Sequence, residues 1–166
     1  MAVLEILTYP DERLRQISEP VQVFDAGFQA RIDDLEETRL AGPGAVGIAA
    51  PQVGWFERVV IVDVSGRKKT RNHGHLILVN PEITKWEGHK VGCEGCLSVP
   101  DYTGNVIRAE KIHLDALGRD GNPLSFDMDG FEARAIQHEM DHIDGLLFLD
   151  RLVSRRQDLF QRKVYE

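Results

Sequence analysis

One stretch near the C-terminal end, Gln137-His138-Glu139-Met140-Asp141-His142, constrains this chain more than any other. Residues four apart lie on the same face of a helix, so His138 and His142 can bind one metal ion. Glu139 then lies within reach of a water molecule bound to that ion. The stretch therefore predicts a metal site built on a helix.

The flanking residues predict the same helix. Asp129 and Gly130 are typical of a helix start, and Gly145 is typical of a stop. Apolar residues at helical spacing continue the face that carries the histidines and form a second row beside it. Phe131 and Ala135 lie on the face of the histidines, and the second row consists of Ile136, Met140 and Ile143. A helix that is apolar on two sides is expected at the centre of the fold.

Length and composition predict one globular domain covering residues 1–166. The chain is 42% apolar and 28% charged, as is usual for such a domain. A net charge of −7 argues against sequence-specific nucleic-acid binding, which requires a basic surface. No apolar run is long enough to span a membrane, and the N-terminus lacks the pattern of a signal peptide. We therefore expect a cytoplasmic protein with no membrane partner.

Hydrophobic periodicity predicts an α+β fold, with antiparallel strands packed around the central histidine helix. Further helices are expected at 13–17 and 28–40, and a last one from Ser154 through Leu159 and Phe160. Strands are expected at 58–64, 76–81, 82–91, 111–116 and 123–128, the last two as a hairpin.

Several polar residues outside the motif are expected at the surface. His73 and His75 fall in a polar loop, and His113 alternates outward from its strand. The basic residues of the C-terminal tail are predicted to form a solvated helix face. These tail residues are Arg151, Arg155, Arg156, Arg162 and Lys163.

Gln52 is the single polar side chain in the stretch 45–54, which is otherwise apolar and rich in small residues. Small residues allow another backbone or a ligand to approach closely. Taken alone, the pattern favours a buried glutamine bonded to backbone over a site residue.

A third metal ligand is predicted in the glycine-flanked cysteine stretch 92–100, which we expect to be a loop. Two imidazoles and one thiolate from this stretch would leave a fourth position open, as in catalytic sites. Cys93 and Cys96 together with both histidines could instead close a structural zinc site. A redox pair of cysteines is a weaker alternative, because no βαβ pattern surrounds them.

Three motifs together resemble the peptide deformylase family. They are Val46-Gly47-Ile48-Ala49-Ala50-Pro51-Gln52, Glu94-Gly95-Cys96-Leu97-Ser98 and Gln137-His138-Glu139-Met140-Asp141-His142, in this order. Ala45 stands where the family usually has a glycine. The resemblance extends over nearly the whole chain.

The resemblance implies an activity, which is hydrolysis of the N-formyl group from the formyl-methionine of new polypeptides, with release of formate. It implies one divalent metal ion, Fe²⁺ in the cell with Zn²⁺ or Ni²⁺ able to replace it. Nascent formylated peptides are the implied substrates, and the ribosome is a further implied partner that some bacterial members contact through a longer tail.

The resemblance also implies roles for nine residues. It assigns the metal to Cys96, His138 and His142, catalysis to Glu139, Gln52 and the Leu97 backbone N–H, and substrate pairing to Val46, Gly47 and Gly95. A role in oxyanion binding reverses the first interpretation of Gln52. Arg134 and Ala135 are expected near the methionine pocket.

Two other functions compete with this one. A zinc endopeptidase shares the HExxH pattern and would cleave internal peptide bonds. A non-enzymatic metal-binding module would use both cysteines and both histidines, with no task for Glu139.

Overall fold

The structure is a computed structural model that describes residues 2–67, 70–152 and 154–162. Its helices are α1 (Ala26–Ala41), α2 (Gly130–Ile143) and the short α3 (Arg155–Asp158). Its strands are β1 (Gly47–Ala49), β2 (Val59–Val62), β3 (Leu76–Glu87), β4 (Lys90–Cys96), β5 (Val99–Arg108), β6 (Lys111–Leu117), β7 (Pro123–Asp129) and β8 (Leu159–Gln161). Short 3-10 turns occur at Glu12–Arg15, Ala50–Val53 and Phe148–Arg151. No helix of these described segments is long and apolar enough to cross a membrane.

The strands form two antiparallel sheets. The larger has the order β1-β2-β3-β6-β7 and the smaller the order β4-β5-β8. In this arrangement β1 lies at an edge of the larger sheet and β4 at an edge of the smaller one. Both edges border the site described below.

Strand β2 is buried on both faces because a helix covers each side of the larger sheet. Val60 packs in the cluster that contains Ile136 of α2, whereas Ile61 packs in the cluster that contains Ile32 of α1. Successive side chains of a strand point to opposite faces, so an unbroken apolar strand suits a position between two helices. Truncating a fully buried isoleucine such as Ile61 typically costs about 2–5 kcal/mol of unfolding free energy.

Helix α2 occupies the predicted central position, and most of its side chains are buried. It begins at Gly130, directly after Asp129, and ends two residues before Gly145. Gly145 has a φ of +77°, and a Cβ there would lie 2.4 Å from the backbone oxygen of Arg15. A larger residue would therefore clash with backbone at this point, which explains the glycine at the helix stop.

The predicted α+β fold with antiparallel strands around the histidine helix is confirmed. The predicted helix at 28–40 is present as α1, and the predicted hairpin is present as β6 and β7. The strand predicted at 76–81 and the first part of the one predicted at 82–91 instead form one longer strand, β3, with shifts of register where it pairs with β6. The predicted strand at 82–91 breaks after Glu87, and Lys90 and Val91 begin β4.

Three local predictions were wrong. The helix expected from Ser154 ends at Asp158, and Leu159 and Phe160 belong to β8, which pairs with β5. Cys96 ends strand β4 instead of lying in a loop. The helix expected at 13–17 is the 3-10 turn Glu12–Arg15.

The histidines predicted at the surface are placed as expected. His113 faces outward between Asp127 and Asp115, with its Nδ1 atom 2.7 Å from the Asp127 carboxylate. His73 and His75 are exposed, and each pairs with a glutamate.

Candidate active site

Three buried side chains bring potential metal ligands together. Helix α2 places the His138 and His142 rings side by side, with centroids 5.2 Å apart. The Cys96 sulfur lies 3.3 Å from Nε2 of His142, and one ligand atom from each of the three residues lies within 4.8 Å of the other two. Ligand atoms around a tetrahedral ion are about 3.4–3.6 Å apart, given bond lengths of about 2.0–2.3 Å. The donor set therefore fits a divalent metal ion.

Cys93 is not part of this cluster. It is exposed, whereas Cys96 is buried, and neither forms a disulfide. In the part of the chain that the structure describes, the convergent group contains Cys96 and not Cys93. Three protein ligands leave a coordination position open, which is the pattern of catalytic metal sites.

Glu94 holds His138 in position for a metal ion. Nδ1 of His138 lies 2.8 Å from the buried Glu94 carboxylate, which leaves Nε2 facing the site. Burial raises the pKa of Glu94, but hydrogen bonds from Arg108 and His138 outweigh it and hold the pKa well below its usual range. Glu94 is therefore an anion that fixes the orientation of the histidine ring.

Arg108 connects this carboxylate to helix α2. It donates to both Glu94 oxygens at 2.8 and 2.9 Å and to Asp141 at 2.6 Å. Arg151 also donates to Asp141, at 3.0 Å. Breaking a buried ion pair by removing one partner typically costs about 3–5 kcal/mol. The network therefore holds strand β4 and helix α2 in a fixed relation.

His142 lies deepest of the three candidate ligands and is almost fully buried. Burial lowers its pKa well below the ordinary value for histidine. The ring is therefore neutral, and neutral imidazole is the form that binds metals.

Glu139 is suited to move protons at this site. Its carboxylate packs against β1, where a Cβ on Gly47 would lie 2.9 Å from Oε1. Oε2 is buried and has no hydrogen-bond partner among the residues described here. Burial raises the pKa of Glu139 to about 7. A carboxylate with such a pKa can accept and return a proton near neutral pH.

Gln52 presents its amide N–H₂ group to the site. Its Oε1 accepts a hydrogen bond from the Ala49 N–H at 2.9 Å, which fixes the amide orientation. Nε2 donates to Ser98 Oγ at 3.0 Å and lies 3.5 Å from the Cys96 sulfur. The side chain is thus both buried and bonded to backbone, as first interpreted, and directed at the ligand cluster.

A cavity of about 630 Å³ opens onto the ligand cluster. Edge strands β1 and β4 contribute Gly47 and Gly95 to its wall, and helix α2 contributes Ala135 and Arg134. Eight of the nine predicted site residues line it: Val46, Gly47, Gln52, Gly95, Cys96, Leu97, His138 and Glu139. His142 lies behind them, against Cys96.

Sequence reasoning missed three residues that contribute to this site. Glu94 and Ser98 were named only as members of a motif, with no role of their own, although they orient His138 and Gln52. Their position two residues from Cys96 was the sequence signal that could have identified them. Arg162 was assigned to a solvated helix face, but it follows β8 and lines the cavity. The side chain of Arg155, and Lys163, lie outside the described residues.

Comparison with known proteins agrees with this geometry. A family profile described as polypeptide deformylase matches residues 3–158. A peptide deformylase of Chromobacterium violaceum is 43% identical over 164 residues, which cover 99% of this chain and 95% of that protein.

Solved structures agree as well. A peptide deformylase of Legionella pneumophila is 43% identical, with a TM-score of 0.85 over 94% of this chain and 89% of that one. A class I type b peptide deformylase of Acinetobacter baumannii, solved with Met-Ala-Ser bound, is 35% identical, with a TM-score of 0.85 over 91% of this chain and 99% of that one. With nearly full coverage by the family profile and by these relatives, this chain belongs to the polypeptide deformylase family.

Proposed function

We propose that the nine residues of this site carry out the reaction of the family. The protein removes the N-formyl group from the N-terminal formyl-methionine of newly synthesised polypeptides and releases formate. The observation that carries the assignment is the convergence of Cys96, His138 and His142 beside Glu139 and Gln52, at one end of a cavity bordered by two sheet edges.

Cys96, His138 and His142 are proposed to hold one divalent ion. When bound, such an ion supplies Lewis-acid chemistry and lowers the pKa of water from about 15.7 to roughly 7. A thiolate with two imidazoles suits iron or zinc. We propose Fe²⁺ in the cell, with Zn²⁺ or Ni²⁺ as functional replacements.

Glu139 is proposed as general base and then general acid. Its Oε2 has no protein partner within the described segments, so it is available to accept the proton of the attacking water. After attack on the formyl carbon, the same carboxyl group returns the proton to the leaving amine. Burial raises the pKa of this carboxyl group above its usual range, which favours the return of the proton in the second step.

Gln52 and the backbone N–H of Leu97 are proposed to stabilise the oxyanion. The Gln52 amide is held before the substrate arrives, because Ala49 fixes its oxygen and Ser98 accepts from its nitrogen. Donors that are already in place lose no energy in reorganising during the reaction.

Replacing Gln52 by leucine should therefore lower kcat by about a hundredfold or more while metal binding is retained. The variant keeps a similar volume but removes the donor. Steady-state formate release and metal analysis of the purified variant would test this. A kcat within a few-fold of the wild type would remove Gln52 from the mechanism.

The substrate is proposed to bind as an added strand between the two sheet edges. Val46 and Gly47 lie at the β1 edge and Gly95 in edge strand β4, so an extended peptide between them can form backbone hydrogen bonds. Phe131 and Ala135 supply apolar surface for a methionine side chain. The Acinetobacter baumannii relative with Met-Ala-Ser bound supports this class of ligand.

The proposed function also bears on the domain organisation, the cellular location and the partners of the protein. We propose that residues 1–166 form a single catalytic domain, which is supported by the family match over 3–158. Formylated nascent chains leave the ribosome in the bacterial cytoplasm, so we place the protein there, with the ribosome as a partner.

The competing endopeptidase function can be tested directly. Metal-loaded protein should release formate from formyl-Met-Ala-Ser and leave acetyl-Met-Ala-Ser and an unfolded test protein intact. Cleavage of internal peptide bonds without formate release would support the endopeptidase instead. Stoichiometric metal binding with neither activity would support the non-enzymatic module.

A further inference from the structure

Arg162 lies against the strand that is proposed to pair with the substrate. Its Nη2 donates to the carbonyl oxygens of Cys96 and Val99 at 3.2 and 3.3 Å. A Cβ built on Gly95 would lie 2.8 Å from the same nitrogen. The guanidinium therefore occupies the space that a side chain at Gly95 would take, within the wall of the cavity.

Arg162 has no carboxylate partner among the residues that the structure describes. Its Nη2 is bonded only to the two backbone carbonyls named above, and its Nε is buried without a hydrogen-bond partner within residues 2–67, 70–152 and 154–162. Arg134, the neighbouring arginine of the cavity wall, pairs instead with Glu94 at 2.7 Å. Because this guanidinium lines the cavity, a carboxylate on a bound ligand would be attracted to its charge.

Cross-strand geometry identifies the part of a ligand that would meet this charge. In an antiparallel pair, side chains directly opposite each other lie on the same face, about 4.5–5.5 Å apart at Cβ. A substrate residue paired with Gly95 would direct its side chain to the face that Arg162 covers. The formyl group must lie at the metal ligands, with the methionine directly after it. The substrate residue paired with Gly95 is therefore one that follows the methionine.

We propose that Arg162 determines specificity by binding a carboxylate in the two residues after formyl-methionine. The enzyme therefore favours substrates with Asp or Glu at the second or third position. This inference rests on the proposed function and extends it to the sequence of the nascent chain. A guanidinium suits the task because its planar fork of N–H donors matches the two oxygens of a carboxylate.

The test compares peptides that differ only in one charge. The substrates are formyl-Met-Glu-Ser-amide and formyl-Met-Ala-Glu-amide, each beside its Gln counterpart. Formyl-Met-Ala-Ser as free acid and as amide separates a side-chain carboxylate from a terminal one. The amide caps matter because a nascent chain presents no terminal carboxylate to the site.

For the wild type we expect kcat/KM to be about five- to tenfold higher for the better Glu peptide than for its Gln counterpart. In Arg162→Gln the ratio should fall to about one, and Arg162→Lys should keep part of it. Arg31→Gln is the matched control, since it removes the same charge from an exposed site beside Trp55. This control should retain the full ratio.

Three results would overturn the proposal. One is equal kcat/KM for Glu and Gln peptides in the wild type. Another is an Arg162→Gln variant that loses activity equally on both peptides, which would make the residue a structural clamp on Cys96. The third is a preference limited to the free-acid tripeptide. Absence of formate release from every peptide would instead contradict the proposed function itself.

Discussion

Replacing Cys96 by alanine should yield a folded protein that does not retain stoichiometric metal and releases no measurable formate. Cys96 supplies the sulfur of the proposed donor set, and this atom lies 3.3 Å from Nε2 of His142. Two imidazoles alone hold a divalent ion far less tightly than three ligands do. Metal analysis after gel filtration, alongside a formate assay, would measure both effects.

Cys93→Ala provides the matched control for this prediction. Cys93 is exposed and three residues away on the same strand, so its removal should leave metal content unchanged and activity close to wild type. If Cys93→Ala lost as much metal as Cys96→Ala, the result would support the alternative of a closed structural zinc site that uses both cysteines. Full metal content and activity in Cys96→Ala would rule out Cys96 as a ligand.

Replacing Glu139 by glutamine should lower kcat by about 10²–10⁴-fold while the metal remains bound. Glutamine has nearly the same size and still fits against Gly47, but it cannot accept and return a proton. Because Glu139 is not one of the three proposed ligands, metal affinity should change little. Single-turnover formate release at saturating substrate would isolate this step.

Glu132→Gln serves as the control for Glu139. Glu132 lies on the same helix and is also buried, but its carboxylate accepts hydrogen bonds from His73 instead of facing the cavity. The control should keep kcat within a few-fold of wild type. A comparable loss in both variants would attribute the effect to helix α2 as a whole and contradict the proton-transfer role.

The parts of the fold that could be predicted from sequence are those encoded by local periodicity. Helix α2 combines a start at Gly130, a stop before Gly145 and two apolar rows, so its position and central burial followed from spacing alone. The β6–β7 hairpin likewise carries its own turn. In both cases the local preference and the tertiary environment favour the same structure.

The incorrect predictions concern residues whose structure depends on distant partners. Leu159 and Phe160 continue a helical pattern, but they pair with Gly104 and Thr103 of β5 and therefore form a strand. Cys96 has glycine and proline neighbours that are typical of a loop, yet the ladder with β5 extends to it through a change of register. Tertiary hydrogen bonding overrides weak local preference in both places.

The hydrogen-bond network around Glu94 also depends on residues that are distant in sequence. Glu94 and His138 are 44 positions apart in sequence, and Arg108 reaches both Glu94 and Asp141. Hydrophobic periodicity does not show which distant charged residues will pair. A charged residue in a sequence is therefore expected at the solvated surface, where most charged residues lie. Arg162 was misassigned for this reason, since a basic tail is more often a solvated surface than a cavity wall.

Titration of metal-free protein with Fe²⁺ under anaerobic conditions, followed by formate release from formyl-Met-Ala-Ser, tests the central claim most directly. The account predicts that activity rises linearly and levels off at one equivalent of metal per chain, with one formate released for each free amine formed. Full metal occupancy without formate release would contradict it.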